Sequence, residues 1–274
     1  MRFLVELDAA DTLKDLVAAA CATHRAGLDG ILISANRTTD APLVAAAAIA
    51  RRVDDLLIGA EVELGNRHPI EVAEEAAVVD LASGGRLILV TYPATGEEPV
   101  FGEALDLLRT AWRPRPFRFD GTRWRVPASL PEHTHNTEQR TRVTPSPLQP
   151  RLELWGSRNG ADVAAGRGLG AVWTERASHL EALWERIESE LGAVGIGAAR
   201  ARREQWTDAP AVVERLREGR RTFGQDWVVI KAPIHAVETI GRYVRPRVQL
   251  DALPPGLEQH WDTTLPTGRE NGVR

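Results

Sequence analysis

The order of apolar and polar residues changes period along this chain in a regular way. Short stretches that alternate, as a half-buried strand does, are followed by longer ones with apolar residues three and four apart, as on one face of a helix. Residues 57–91 show this most clearly. They open on Leu57 and Ile58, alternate through Ala60, Glu61, Val62, Glu63 and Leu64, and break at Gly65-Asn66. Pro69 follows where the first turn of a helix has no use for an N–H. Acids come next at Glu71, Glu74 and Glu75, and Gly84-Gly85 stops the helix before residues 87–90 resume as a buried strand. The stretch predicts one β-α-β unit.

Read the same way, the rest of the chain predicts strands at 2–7, 30–34, 152–155, 171–173, 199–206 and 227–231. Helices are predicted at about 12–25 with Asp11 as cap, 42–54, 102–112, 159–167, 178–191, 208–223 and 236–244. Between 113 and 150 the regularity lapses into a small hairpin turning at Asp120-Gly121 and a Pro-rich connection, an excursion rather than a second core; 251–274 read as a Pro-rich tail. Eight strands alternating with eight helices through right-handed crossovers predict an α/β fold, a closed (β/α)8 TIM barrel over residues 1–250. An open doubly wound sheet is the other architecture such alternation allows, but the first loop lacks the Gly-rich phosphate fingerprint that goes with it.

In a barrel, alternate residues of each strand face the helices and should be apolar, which sends the others into the interior. On that rule Ala60, Val62 and Leu64 face the helices and Glu61 and Glu63 point inward. Phe3, Val5 and Leu7 leave Arg2, Glu6 and Asp8 inward; Leu152 and Leu154 leave Glu153 and Trp155; Val228 and Ile230 leave Trp227, Val229 and Lys231. In 199–206 the alanines at 199 and 201 place Arg200, Arg202, Glu204 and Trp206 inward. The predicted interior is rich in charge that must be paired or hydrated, with Trp155, Trp173 and Trp206 around its mouth. Two readings follow: an ion-paired, partly wet core without catalysis, or a polar pocket under aromatic rings where a planar ligand stacks and a carboxylate moves a proton.

Composition narrows the partners. A net charge of −4 gives no reason to expect a nucleic acid, and the Arg-Ala-Arg-Arg run at 200–203 reads as barrel ion pairs. The lone Cys21 excludes an intrachain disulfide or a Cys-based zinc cluster and reads as a small core residue. The chain starts directly on a strand, and its longest apolar run, 43–50, is too short to span a bilayer, so a cytoplasmic protein without a membrane partner is expected. Glu132-His133-Thr134-His135 has no third spaced ligand, so no metal site is expected. His68 reads as a helix-start residue, and Lys231 as the partner of an interior glutamate ahead of a phosphate or Schiff-base role.

Taken in order, RHPIEVAEEAAVVDLASGGRLIL, FGEALDLLRTAW, FDGTRW, PSPLQP and LELWGSRNGADVAAGRGLGAVW resemble the bacterial luciferase-like flavin-dependent monooxygenase and F-420-dependent oxidoreductase superfamily. The match runs in register from about residue 56 to 173, and DAPAVVERLREGRRTFGQDWVVIKAP resembles that family's C-terminal end. The resemblance implies a barrel that uses FMN or the deazaflavin coenzyme F-420 on a small organic substrate, as a homodimer formed through helices near the second and third barrel units. It places Ala60, Glu61 and Val62 beneath the flavin ring, often with a non-prolyl cis peptide there, and Thr91 and Tyr92 along the same cavity. Gly156, Ser157, Arg158, Asn159 and Gly160 match the phosphate loop, at a helix start whose free N–H groups suit an anion. Trp155 and Trp173 are the stacking surfaces, and Glu61 and Glu6 the proton-handling candidates. The chain departs from the family in three loops. Asn36 stands in SANRTTD where a catalytic histidine is expected, Pro93 interrupts TYPATGEEP, and only WTDAP follows the seventh strand, a shortened insertion. These departures support an alternative, a luciferase-like barrel with no cofactor that serves as a partner subunit or ligand binder.

Overall fold

Gly30–Ser34 and Leu87–Pro93 are buried along their whole length, as parallel strands covered on both faces must be. The structure, a computed structural model, describes residues 1–9, 11–35, 41–128, 140–175, 177–191 and 198–249. In chain order these form β1 (Arg2–Asp8), α1 (Leu13–Arg25), β2 (Gly30–Ser34), α2 (Pro42–Ala50), β3 (Leu57–Leu64), α3 (Pro69–Ser83), β4 (Leu87–Pro93) and α4 (Glu98–Ala111). A two-stranded ribbon, β5 (Phe119–Asp120) and β6 (Arg125–Val126), follows. Then come β7 (Glu153–Ser157), α5 (Ala161–Ala165), β8 (Gly170–Trp173), α6 (Ala177–Leu191), β9 (Arg200–Gln205), α7 (Ala209–Phe223) and β10 (Trp227–Lys231). The last helical stretch is α8 (Ile234–Thr239), a π-helical turn (Ile240–Val244) and α9 (Arg245–Gln249). The strands β1-β2-β3-β4-β7-β8-β9-β10 close into a parallel barrel, a (β/α)8 TIM barrel, with β5-β6 outside it.

The ends of the helices follow local chemistry. Thr12, not Asp11, caps α1, its hydroxyl accepting the N–H of Asp15. His68 caps α3 by accepting the N–H of Ile70 on Nδ1, and Gly84 ends that helix at φ 69°. Asp208 caps α7 through the N–H of Ala211. Helix α2 stops at Ala50, short of residue 54, because the Arg86 guanidinium gathers the carbonyls of Ala50, Val53 and Leu56 and turns the chain there. The excursion is pinned at both ends. Glu103 of α4 accepts the N–H groups of Thr122, Arg123 and Trp124, and the buried Asp80 accepts both the backbone N–H and the side-chain amide of Gln149.

Inside the barrel Leu4, Leu32, Ile88, Val90, Trp155, Val172, Ala201, Trp227 and Val229 pack as one cluster, separate from the layer between strands and helices that contains Phe3, Val5, Ala60, Val62, Leu154 and Val228. The predicted alternation therefore holds for β1, β3, β7 and β10. It is reversed in β9. Ala199 and Ala201 are interior, whereas Arg200 turns outward to Glu188 and the Phe223 carbonyl, and Arg202 turns outward to Glu204, itself held by Arg215. Trp206 packs against the outer layer. The reason is volume: Trp155 and Trp227 meet edge to face, 4.9 Å apart, and fill the floor of the barrel, leaving room only for alanine opposite. Gly170 is glycine for the same reason, since a Cβ there would run into the Trp155 ring.

Replacing Arg86 by Met should keep the fold but leave the three carbonyls beyond α2 without their donor. A loss of about 2 kcal/mol in urea unfolding is expected, and an unchanged midpoint would show that the clamp contributes nothing.

Candidate functional site

Above the tryptophan floor the barrel turns polar. Glu6 on β1, Ser34 on β2, Glu61 on β3, Ser157 at the end of β7 and Arg203 on β9 all rise into the C-terminal mouth, and Arg158 leans over them from the turn that follows β7. Glu61 has no exposed side-chain surface. Its Oε1 accepts the Ser157 hydroxyl (2.7 Å) and Arg203 Nη2 (2.9 Å), and its Oε2 accepts Arg158 Nη2 (3.1 Å). Arg203 reaches on to Glu6, whose other oxygen accepts from Ser34 (2.9 Å). Here Nε and Oε2 stand 3.1 Å apart without the N–H pointing at the oxygen, so each buried atom keeps an unused hydrogen-bonding direction. Two carboxylates against two guanidiniums make the cluster neutral, which is what lets it sit in the mouth.

Arg158 sits at φ 53°, a backbone region uncommon for a side chain this large. Its guanidinium lies 3.9 Å from the centre of the Tyr92 ring and donates to the Ala35 carbonyl as well as to Glu61. One residue thereby ties the ends of β2, β3 and β4 to the turn after β7. Burial alone would push the Glu61 carboxyl up, but Arg203, Arg158 and the Ser157 hydroxyl together outweigh it and hold the group below its ordinary value of 4.5.

The structure gathers Glu6, Glu61, Tyr92, Ser157 and Arg158 of the sequence-predicted residues and separates the others from them. Ala60 and Val62 face the helix layer, so that wall offers only its backbone and Glu61 to the mouth. Thr91 donates its hydroxyl to the Trp155 carbonyl at 3.1 Å. Gly156 lets the following turn pack on the strand, since a Cβ would strike Ala164 and the Gly160 carbonyl. Gly160 is packed against Phe101 and Pro93, and the Asn159 amide is held by Glu98. Trp155 points inward as expected but at the wrong height, two residues below Ser157, with its ring N–H on Glu153. Trp173 points outward: Gly170 and Val172 are the inward residues of β8, and Trp173 packs on Trp184 and Phe223. The cis peptides among the described residues are Val126–Pro127 and Thr144–Pro145, and Ala60–Glu61–Val62 is trans. Asn36 and the motif at 132–135 lie outside the described residues.

Two members of the cluster, Arg203 and Ser34, were not foreseen. The signal for Arg203 was present in the charge count: two inward glutamates require an inward cation, and β9 could supply it at 203 as well as at 200 or 202. Lys231 pairs with no glutamate among the described residues. It lines a cavity of about 540 Å³ beside the mouth, together with Glu6, Asp8, Gln205, Leu7 and Ile234. Among the described residues no three His, Cys, Asp or Glu side chains are grouped to hold a metal, and no helix is long and apolar enough to cross a membrane.

Comparison with known proteins agrees with this architecture. The profile of a family described as luciferase-like monooxygenase matches residues 2–213. A search of curated proteins gives no match. Among solved structures, the chain is similar to the coenzyme F-420-dependent tetrahydromethanopterin reductase from Methanopyrus kandleri, with TM-score 0.73 and 13% identity over 90% of this chain and 99% of that one. It is similar to monooxygenase RslO1 from Streptomyces bottropensis, with TM-score 0.70 and 13% identity over 90% and 99%. It is also similar to the oxygenating constituent of 3,6-diketocamphane monooxygenase from the CAM plasmid of Pseudomonas putida in complex with FMN, with TM-score 0.67 and 14% identity over 93% and 99%. At these identities the likeness shows the fold.

A carboxyl held below its ordinary value stabilises the folded state above the unfolded pKa and loses that contribution as pH falls. Glu61→Gln should cost about 3 kcal/mol at pH 7, by leaving two guanidiniums short of a partner. The gap between variant and parent should narrow as the pH drops below 4.5 and the parent's own Glu61 protonates. Parallel stability–pH curves would show that Glu61 is not the ionised hub.

Proposed function

This chain belongs to the luciferase-like monooxygenase family, and from that premise we propose that it is a flavin-type oxidoreductase acting on a small organic substrate with FMN or coenzyme F-420. The observation that carries the proposal is the neutral Glu6–Arg203–Glu61–Arg158 network across the mouth, in which buried Arg203 Nε and Glu6 Oε2 keep unused hydrogen-bonding directions. A packed structural core rarely leaves such atoms unmatched. They fit the polar edge of a heterocycle, and Arg158, at the turn that opens toward α5, fits an anionic phosphate. FMN in the Pseudomonas structure and the F-420 dependence named for the Methanopyrus enzyme support that cofactor class.

A bound flavin or deazaflavin supplies the electron or hydride transfer itself. The chain's own residues divide the remaining work. Glu61 accepts three hydrogen bonds and is held ionised, so we assign it the positioning of Arg158 and Arg203 rather than proton transfer. Glu6 keeps a free direction on Oε2 and is the better candidate to take or hold a proton. Thr91 and Gly156 set the height and packing of the turn that carries Ser157, Arg158, Asn159 and Gly160. The cavity beside β1 and β10 gives a substrate of modest size a place next to Glu6.

Titrating the protein with FMN and F-420, each oxidised and reduced, while following tryptophan fluorescence should give saturable quenching with one of them. Arg158→Ala should weaken that binding about tenfold, or about 1.4 kcal/mol. No binding of any of the four would overturn the oxidoreductase reading and leave the barrel as a ligand binder or partner subunit.

We further propose a homodimer through α2 and α3. Helix α2 carries no charged residue, and the outward face of the pair shows Val44 (70% exposed), Val78 (51%) and Leu81 (43%). Light scattering should find a dimer for the parent and a monomer for Leu81→Glu; a monomeric parent would remove the proposal.

A further inference from the structure

Residues 113–151 hold eight arginines against three acids, a net +5 in a chain whose total is −4, so the remainder stands at −9. The fold turns four of these arginines outward. Alternation along the ribbon turns Phe117, Trp124, Val126 and Val143 into the core that includes Leu105 and Leu108 of α4, and leaves Arg118, Arg125, Arg140 and Arg142 exposed. The antiparallel bridge between Phe117 and Thr141 adds a further segment to the ribbon and sets Arg140 opposite Arg118, with Arg142 opposite Pro116. Because Glu103 holds the turn at 122–124 by three N–H groups, the arginines stand on an anchored backbone rather than a loose loop.

Most of these arginines do little for the fold. Several elsewhere are structural: Arg86 gathers carbonyls, Arg200 bonds Glu188 and the Phe223 carbonyl, Arg203 joins two glutamates, and Arg215 holds Glu204. In the excursion Arg118 pairs with Asp120 and Arg123 stands 3.5 Å from Glu97, but Arg113, Arg115 and Arg140 have no ion-pair partner among the described residues. A genome's preference for arginine over lysine explains the residue type. It does not explain why unpaired cations are collected here.

We propose that the outward face of this ribbon is a docking surface for an acidic protein segment, a stretch rich in Asp and Glu. Guanidiniums fixed on a strand suit carboxylates, which they can take two N–H groups at a time. A nucleic acid fits less well: Phe117 and Trp124, which could stack on bases, are each 7% exposed and turned inward, and a polyanion longer than the patch would meet a remainder at −9. Through Arg123 and Glu97 the surface touches the start of α4, just past the loop that follows β4, so a docked partner would sit beside the mouth.

The probe is a fluorescently labelled peptide of about ten glutamates, followed by anisotropy at roughly 50 and 200 mM salt, with a thymidine oligonucleotide as competitor. The peptide should bind at low salt and weaken at high salt. The triple variant Arg125→Glu, Arg140→Glu, Arg142→Glu should lose at least about tenfold in affinity. A control with the same net charge, Arg25→Glu, Arg51→Glu, Arg186→Glu, should lose less than about twofold. The single variants Arg140→Ala and Arg142→Ala, each expected to lose about two- to threefold, keep the test open if the triple variant does not fold. Equal losses in both triple variants, no binding at low salt, tighter binding of the oligonucleotide, or salt-sensitive self-association abolished by the ribbon variant would each overturn the proposal.

Discussion

A carboxylate with no exposed surface dominates the upper half of this barrel. Left alone, buried Glu61 would cost several kcal/mol, so its neighbours are constrained by the need to neutralise it. Arg203 must come from β9, Arg158 from the turn after β7, and Ser157 from the last position of that strand. Once Arg203 is inside, it carries a second carboxylate, Glu6, which takes up Ser34. Strands β1, β2, β3, β7 and β9 are thus coupled at one level by a network whose net worth lies in fixing geometry more than in stabilising the fold. A hydrophobic replacement of the same shape could be as stable, but would not hold two guanidiniums over the mouth.

The lower half obeys a different constraint, volume. Trp155 against Trp227 fills the floor, which forces Gly170 on β8 and alanine at 199 and 201 on β9. That choice sets the parity of β9: with small residues inward at the floor, the next inward residue is Arg203. The dry floor therefore determines which cation reaches the mouth, and the outward arginines are free to bind elsewhere, Arg200 to Glu188 of α6 and Arg202 to Glu204, which Arg215 also holds. The packed end and the polar end of the barrel are linked through a single strand.

This explains what could be read from the residues alone. Strands β1, β3, β7 and β10 have one apolar and one polar or mixed face, so the rule that helix-facing residues are apolar assigned Glu6 and Glu61 correctly. In β9 the rule fails: the inward face is alanine at the floor below Arg203, and the outward one is arginine and glutamate, satisfied by helix side chains that no local pattern reveals. Trp173 was misplaced for a related reason, since its parity is fixed by Gly170, a residue that looks like a turn until Trp155 is seen lying over it. Trp155 had the right parity and the wrong height, because periodicity does not say how far up a strand the floor ends. Arg158 was identified by the resemblance and not by any pattern, and its left-handed backbone, which carries the guanidinium back onto Tyr92, has no signature in the sequence.

The state of Glu61 bears on the chemistry more than its position does. A group that moves a proton works best when its pKa lies near the working pH, and one held below its ordinary value by two cations is a weak base at neutral pH. Its neighbours cannot be withdrawn cheaply, for Arg158 also joins Ala35 and Tyr92, and Arg203 also joins Glu6. A ligand that engaged Arg158 through an anionic group would weaken one of these contacts and raise the proton affinity of Glu61, while the Arg203 contact remained. On the proposed function, proton chemistry at this mouth would then fall first to Glu6, whose Oε2 already has an unused direction, and Glu61 would report on ligand binding through its two arginines.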